Sequence, residues 1–481
     1  MESLLCADLA LYTDYYQLTM AQGYLATGQH RHRAVFDYYF RKLPFEGGYA
    51  VFAGLKDVVE QLPALRFTAA HLDYLRSTGI GEPLLTYLQG FRFTGSVWAV
   101  SEGEVVFPFQ PLVRVEAPLI EAQLVETFLL NWLNFNTLVA TKASRIRAAA
   151  GPDRMLLEMG LRRAQGFGGM AVSQAATVGG FTATSNVLAG YLYGLEVAGT
   201  HAHAWVQSFD DELTAFRAFA EQFPTRCTLL VDTYDTLRSG VPNAITVGKE
   251  LEAQGHRLRA IRLDSGDLAY LSKRARALLD EAGLGYVQIA ATNDLDEYTI
   301  QSLNHQGAPI DILGVGTKLA TADGSPALGG VYKLAALADA PRMKVSDNLI
   351  KVSLPGRKQS VRYTDAAGQF VADGILLVSE SAADTLYHPY EAETHTSVAG
   401  LSAEPLLRPV ITDGTPVPDL PDARTANRYR QERLARLAPE HQRFENPHTY
   451  RVGISPGLKD LRARLLAEAR AKAPTPGNRA R

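Results

Sequence analysis

Cysteine is nearly absent from this chain: among 481 residues there are two, Cys6 and Cys227. Two thiols this far apart in sequence build neither a disulfide framework nor a cysteine-held zinc site, which points to a reducing compartment. Long apolar runs are missing as well. No uninterrupted stretch reaches the roughly 18 residues of a membrane span, and the opening MESLLCADLALYTDYY lacks the basic start of a secretory signal and carries Asp8 and Asp14. A cytoplasmic protein without membrane contact is the expectation. An excess of charge is lacking too: 48 basic and 51 acidic side chains leave a formal charge of −3, which provides no overall field for nucleic acid or an anionic membrane. Neither a P-loop nor a strand, G-x-G-x-x-G, helix unit occurs, so two common nucleotide-binding devices are excluded.

What is present is the material of a globular protein. Apolar residues make up 46% and charged residues 21%, and the length calls for two or three domains. The first part alternates an amphipathic helix after Thr13 with an aromatic strand, Ala34 to Phe40, and short strands between Phe91 and Glu116. Pro118 then opens a helical run from Leu119 to Leu130. Four short apolar runs follow, each ending in a polar cluster: Leu229 to Thr233, Ile261 to Gly266, Val287 to Asp294 and Ile312 to Thr317. Helical segments such as Ser272 to Ala282 separate them. Strand, helix, strand repetition of this kind requires a parallel sheet or a (β/α) barrel. The expected organisation is an α+β domain over residues 1–135, a barrel-like catalytic domain over 136–343, and a segment over 344–481. That last segment adds strands to the first domain and continues with helices over 422–437 and 458–471 and a disordered tail from Pro474.

In a barrel the chemistry sits at the carboxyl ends of the strands, which is where Asp232, Arg262, Asp264, Asp294 and Thr317 fall. The plain alternative for each acidic residue is a helix cap. Asp264 and Asp294 have the hard oxygens that hold magnesium through water or grip ribose hydroxyls. Gly314-Val315-Gly316-Thr317 lets backbone approach a phosphate and adds a hydroxyl. Arg162 and Arg163 stand between glycines, with the planar fork that matches a carboxylate or phosphate. Gly179 to Asn186 offers donors ahead of a helical Val187 to Tyr193. The run Gly199-Thr200-His201-Ala202-His203-Ala204-Trp205 brings two imidazoles that can move protons, bind metal or accept a phosphoryl group. A metal-dependent hydrolase built on His201 and His203 lacks further histidines at matching strand ends.

Taken in order, Thr13-Asp14-Tyr15-Tyr16-Gln17-Leu18-Thr19-Met20, Gly160-Leu161-Arg162-Arg163-Ala164-Gln165-Gly166, Ser185-Asn186-Val187-Leu188-Ala189-Gly190, Gly199-Thr200-His201-Ala202-His203, Arg262-Leu263-Asp264-Ser265-Gly266-Asp267 and Gly314-Val315-Gly316-Thr317 resemble the nicotinate phosphoribosyltransferase family. The resemblance implies an α/β fold, the irregular (β/α) barrel of type II phosphoribosyltransferases with an α+β domain built from both chain ends. It implies transfer of phosphoribose from phosphoribosyl pyrophosphate to nicotinate in NAD biosynthesis, with Mg2+ as cofactor and ATP as co-substrate, coupled through a phosphohistidine at His203. Tyr16 matches a ring stacking on the pyridine, supplied by the partner subunit of a homodimer. Thr200, Arg262 and Arg162 match nicotinate contacts. Thr317, with Gly316 and Gly314, matches a phosphoribosyl pyrophosphate site. Asp232 and Asp264 match acidic positions near ribose or metal. Related nicotinamide enzymes carry an Asp near Ser185, and a neutral residue there avoids repelling a carboxylate. Two positions depart from the pattern: Met159 where Phe is frequent, and Ala183 where Gly or Ser is common. The rival readings are the same chemistry on nicotinamide and a non-catalytic nucleotide-binding barrel.

Overall fold

The computed structural model describes residues 9–166, 168–346, 351–391, 394–417 and 420–472; the expected tail from Pro474 lies outside them. The chain divides into two compact units, one of residues 1–138 with 327–481 and one of residues 139–326. Among the described residues no helix is long and apolar enough to cross a membrane.

The first unit is built on a seven-stranded antiparallel sheet in which one inner strand, Arg33–Phe40, has seven of its eight residues buried. Burial on both faces explains why that strand reads as an unbroken apolar and aromatic run. It pairs on one side with Val113–Pro118 and on the other with Gly330–Leu337. The second pairing corrects the expected boundary at residue 343, because Gly330–Leu337 is a strand of this sheet, with Tyr332 stacked on Phe36 at 4.7 Å. Arg408–Thr412 pairs with Ser96–Ala99, so the last part of the chain does add to the sheet of the first. A second sheet in the same unit holds Lys358–Thr364 and Phe370–Leu377. Its buried Arg362 is held by Glu104, at 2.5 Å, and by Asp373, at 2.7 Å. The helical run after Pro118 is two helices, Leu119–Leu124 and Glu126–Ala150.

The second unit holds six parallel strands, in the order Ala183–Thr184, Met155–Glu158, Ile312–Val315, Gln288–Thr292, Ala260–Leu263 and Thr228–Leu230. Their apolar side chains, Ile261, Leu263, Ile289 and Leu313 among them, are all but inaccessible to solvent, and each contributes roughly 1.5–3 kcal/mol by burial. The intervening helices begin at acidic caps: Asp211, Asp267 and Asp296 accept from backbone N–H groups of their own first turns. The capping alternative does not hold for Asp232 or Asp264, whose carboxylates accept from Asp264 N–H and Ser265 and from Arg262 and Thr292 instead.

Hydrogen bonding between strands leaves Ala183–Thr184 and Thr228–Leu230 at the two edges, and one irregular segment meets both. Thr184 N–H donates to Glu196 O at 2.9 Å and Ala198 N–H donates to Thr184 O at 3.0 Å. A few residues on, His201 Nε2 accepts from the backbone N–H of Leu230 at 3.2 Å. A side chain thus takes the place of a ladder partner, and the sheet closes as an irregular (β/α) barrel.

Candidate active site

Inside this barrel lies a cavity of about 400 Å³ walled by Met159, Gly199, Thr200, Arg262, Thr292 and Gly314, among others. A smaller pocket of about 120 Å³ at the carboxyl ends of the strands shares Met159, Arg262, Thr292 and Gly314 with it and adds Arg162, Arg163, Asp264, Asp294, Gly316 and Thr317. Gly314 is needed for the room it leaves: a side chain there would meet Thr292 Cγ2 at 2.5 Å and Met159 Sδ at 2.6 Å.

Arg262, 8% exposed, organises the group. Its Nε donates to Thr292 Oγ1 at 3.0 Å, Nη1 to Thr200 Oγ1 at 3.0 Å and to His201 O at 3.4 Å, and Nη2 to Asp264 Oδ1 at 2.8 Å. A guanidinium carries five N–H donors; those four bonds leave one on Nη2 for an incoming acceptor. Thr292 also donates to Asp264 Oδ1. Burial alone would raise the Asp264 carboxyl, but the Thr292 hydrogen bond and the Arg262 charge outweigh it and hold it below the ordinary carboxylate range. Asp232 Oδ2 accepts from Asp264 N–H at 2.8 Å and Ser265 Oγ at 2.7 Å. Its other oxygen, Oδ1, is buried with no hydrogen-bond partner among the described residues.

The two histidines of the Gly199 to Trp205 run have separate fates. His201, 6% exposed, has its pKa lowered to about 4, chiefly by burial, with the Arg262 charge adding to the effect. It is a neutral structural acceptor. His203 opens the short helix His203–Gln207, with Nδ1 3.1 Å from Thr233 Oγ1 and Nε2 3.8 Å from Asp264 Oδ2. Its side chain is 39% exposed.

Thr200, His203, Asp232, Arg262 and Asp264 are thus joined by direct contacts, and Arg162, Asp294, Gly314, Gly316 and Thr317 border the same mouth. Asp294 follows Asn293, and both have left-handed backbone, φ 42° and 101°. Strain of this kind persists where surrounding structure enforces it. Ser185 follows the strand Ala183–Thr184 and donates its backbone N–H to Glu158 O at 2.8 Å; it is not in the wall of either cavity. Tyr16 belongs to the other unit, exposed on the first turn of the helix Tyr15–Ala26. Thr292, Thr233 and Glu158 escaped the sequence reading. Thr292 and Thr233 were visible as hydroxyls at strand ends, the signal that singled out Thr317.

A barrel closed irregularly with a polar mouth at the strand ends, in a chain whose other unit is built from both chain ends, defines the type II phosphoribosyltransferase class. Residues 11–134 match the model of the nicotinate phosphoribosyltransferase (NAPRTase) N-terminal domain and residues 357–462 that of the C-terminal domain. The chain is 45% identical over 461 residues to a nicotinate phosphoribosyltransferase of Bacillus subtilis (strain 168), covering 93% of both chains. It superimposes on human nicotinic acid phosphoribosyltransferase with a TM-score of 0.85 at 34% identity, covering 94% of this chain and 99% of that one. A nicotinate-nucleotide pyrophosphorylase from Pyrococcus furiosus, at 22% identity and a TM-score of 0.70 over 91% of this chain and 97% of its own, shares the fold. The chain belongs to the nicotinate phosphoribosyltransferase family.

Proposed function

We propose that this protein is an enzyme that joins nicotinate to phosphoribosyl pyrophosphate, giving nicotinate mononucleotide and pyrophosphate in NAD biosynthesis, with ATP hydrolysed alongside through a phosphohistidine at His203. The observation that carries the reading is the buried Arg262 guanidinium in the cavity wall, beside Thr200 and with one N–H to give. A flat anionic base suits such a wall better than a neutral one, since a charge-assisted bond is worth about 1.5–3 kcal/mol.

In the reaction the bond from ribose C1 to pyrophosphate breaks, its electron pair leaving on the phosphate oxygen, while the pyridine nitrogen forms the new bond to C1. Arg262 and Thr200 orient the base. The Asp264 and Asp232 carboxylates steady the positive charge that gathers on the ribose, Arg162 meets the carboxylate of the base together with Arg262, and Gly314, Gly316 and Thr317 line the place for phosphate oxygens. Ser185 lines neither cavity, and its part in favouring acid over amide is that no carboxylate stands at its position to repel the acid. His203, with Nδ1 engaged by Thr233, keeps Nε2 for the phosphoryl group of ATP; the N–P bond forms as ADP leaves, and water later takes the phosphoryl group.

The unpartnered Asp232 Oδ1 and the Asp264 carboxylate fit Mg2+, a hard cation that keeps several waters and takes one or two carboxylates together with substrate phosphates; Asp294 is the further candidate at the mouth. Bound there, the ion would offset charge on departing pyrophosphate. The reading includes a homodimer in which Tyr16 of the partner subunit stacks on the pyridine, supported by its exposure on its own unit, and a cytoplasmic location, supported by the scarcity of cysteine.

The test is a mass-resolved product assay with nicotinate, phosphoribosyl pyrophosphate and Mg2+, with and without ATP, and with nicotinamide as competitor. Nicotinate mononucleotide is expected, at a rate raised by ATP. Preference for the amide, or nucleotide binding without pyrophosphate release, would overturn the proposal. His203→Ala is expected to lose the ATP stimulation and keep the ATP-independent reaction.

A further inference from the structure

Glu158 is the last residue of its barrel strand and 1% exposed, with no cationic side chain within ion-pairing distance among the described residues. A buried carboxylate of this kind is costly unless donors surround it. Three do. Oε1 accepts from the backbone N–H of Gly160, and Oε2 accepts from Ser173 Oγ at 3.0 Å and from Thr184 Oγ1. Its backbone O accepts from Ser185 N–H at 2.8 Å.

Each donor leads to a different part of the site. Gly160 opens the turn Leu161–Arg163, which carries Arg162. Ser173 belongs to the buried helix Gly168–Gly179. Thr184 precedes Ser185, and its hydroxyl accepts from Asn186 N–H at 3.0 Å while Asn186 Nδ2 donates to Ser173 Oγ at 3.2 Å. Hydrogen bonds therefore lead from Asn186 through both hydroxyls to the carboxylate, with Gly169 O, 3.2 Å from Ser173 Oγ, as a second acceptor for that hydroxyl. Gly160 itself has no room for a side chain, since a Cβ there would lie 2.5 Å from Ala320 Cβ.

We infer that Glu158 is a positioning residue whose carboxylate fixes the Arg162 turn and the Ser185 turn at one separation, and so sets how the site receives the carboxylate of its pyridine substrate. This rests on the function proposed above. Glu158 touches no substrate; it acts through Gly160 and Thr184. The substitution Glu158→Gln keeps the shape but removes the charge and turns one acceptor into a donor, so that either the Gly160 N–H or the hydroxyls of Ser173 and Thr184 lose their acceptor.

The test measures KM for nicotinate, KM for phosphoribosyl pyrophosphate and kcat in the wild type, Glu158→Gln and Thr184→Val, with a thermal melt of each. In both variants KM for nicotinate is expected to rise about tenfold, more in Glu158→Gln, with KM for phosphoribosyl pyrophosphate and kcat within about twofold. Thr184→Ser, which keeps the donor, is expected to behave as wild type. Lower melting temperatures with an unchanged KM for nicotinate in whichever variant folds would overturn the inference, leaving Glu158 a purely structural residue. A wild-type protein that does not consume nicotinate would instead overturn the function on which the inference rests.

Discussion

Arg262 makes four hydrogen bonds at once, so replacing it has two separable effects. Arg262→Lys keeps a charge but not the fork, and is expected to raise KM for nicotinate by about tenfold to a hundredfold in steady-state kinetics, the equivalent of one or two bonds to a charged group. Arg262→Ala also strips Asp264 of its cation, so its carboxyl should rise and kcat fall as well. His201 gives a pH signature. Its folded pKa, about 4, lies below the ordinary 6.5, so the unfolded chain binds a proton that the folded one refuses. The stability tied to this ring is whole above pH 6.5 and falls as the pH drops from 6.5 to 4, by about 3 kcal/mol in all. His201→Gln, which preserves an acceptor for Leu230 N–H, is expected to flatten that slope in urea unfolding at pH 7 and pH 5. Sequence separated the two histidines by likeness to a family. The physical reason, burial of one against Phe219 with ring centroids 4.7 Å apart and exposure of the other, arises only when distant residues meet.

Among the elements, the parallel strands were legible because they are buried on both faces, as the successive residues Ala260 and Ile261 show, and end in polar clusters. The closing of the barrel was not. Glu196–Ala198 has no apolar period of its own, and the bond from Leu230 N–H to His201 runs to a side chain rather than along a ladder. Glu158 was equally hidden: an acid beside Met159 and Gly160 looks like any strand-end charge until Ser173 and Thr184 converge on it. The closing segment predicts its own weak point. Ala198→Pro removes the N–H that bonds Thr184 O, and is expected to cost about 3 kcal/mol in chemical denaturation. Activity should fall too, because Thr200 lies two residues beyond.

At the scale of the whole molecule, the unit formed by residues 1–138 and 327–481 depends on strands from both parts of the sequence. A chain ending at residue 346 loses Lys358–Thr364, Phe370–Leu377 and Arg408–Thr412, together with the partners of buried Glu104. It is expected to be insoluble or rapidly digested in limited proteolysis, where the full chain resists. The boundary near residue 327 was misplaced in the sequence reading because Gly330–Leu337 carries the apolar, aromatic look of a strand without saying which sheet it joins. That same pairing has a consequence for synthesis. Arg33–Phe40 is made early, while its neighbour Gly330–Leu337 comes close to three hundred residues later. At ribosomal rates that is a wait on the order of tens of seconds. Throughout it the nascent chain carries an apolar strand with a bare edge, the kind of surface that invites chaperones or aggregation.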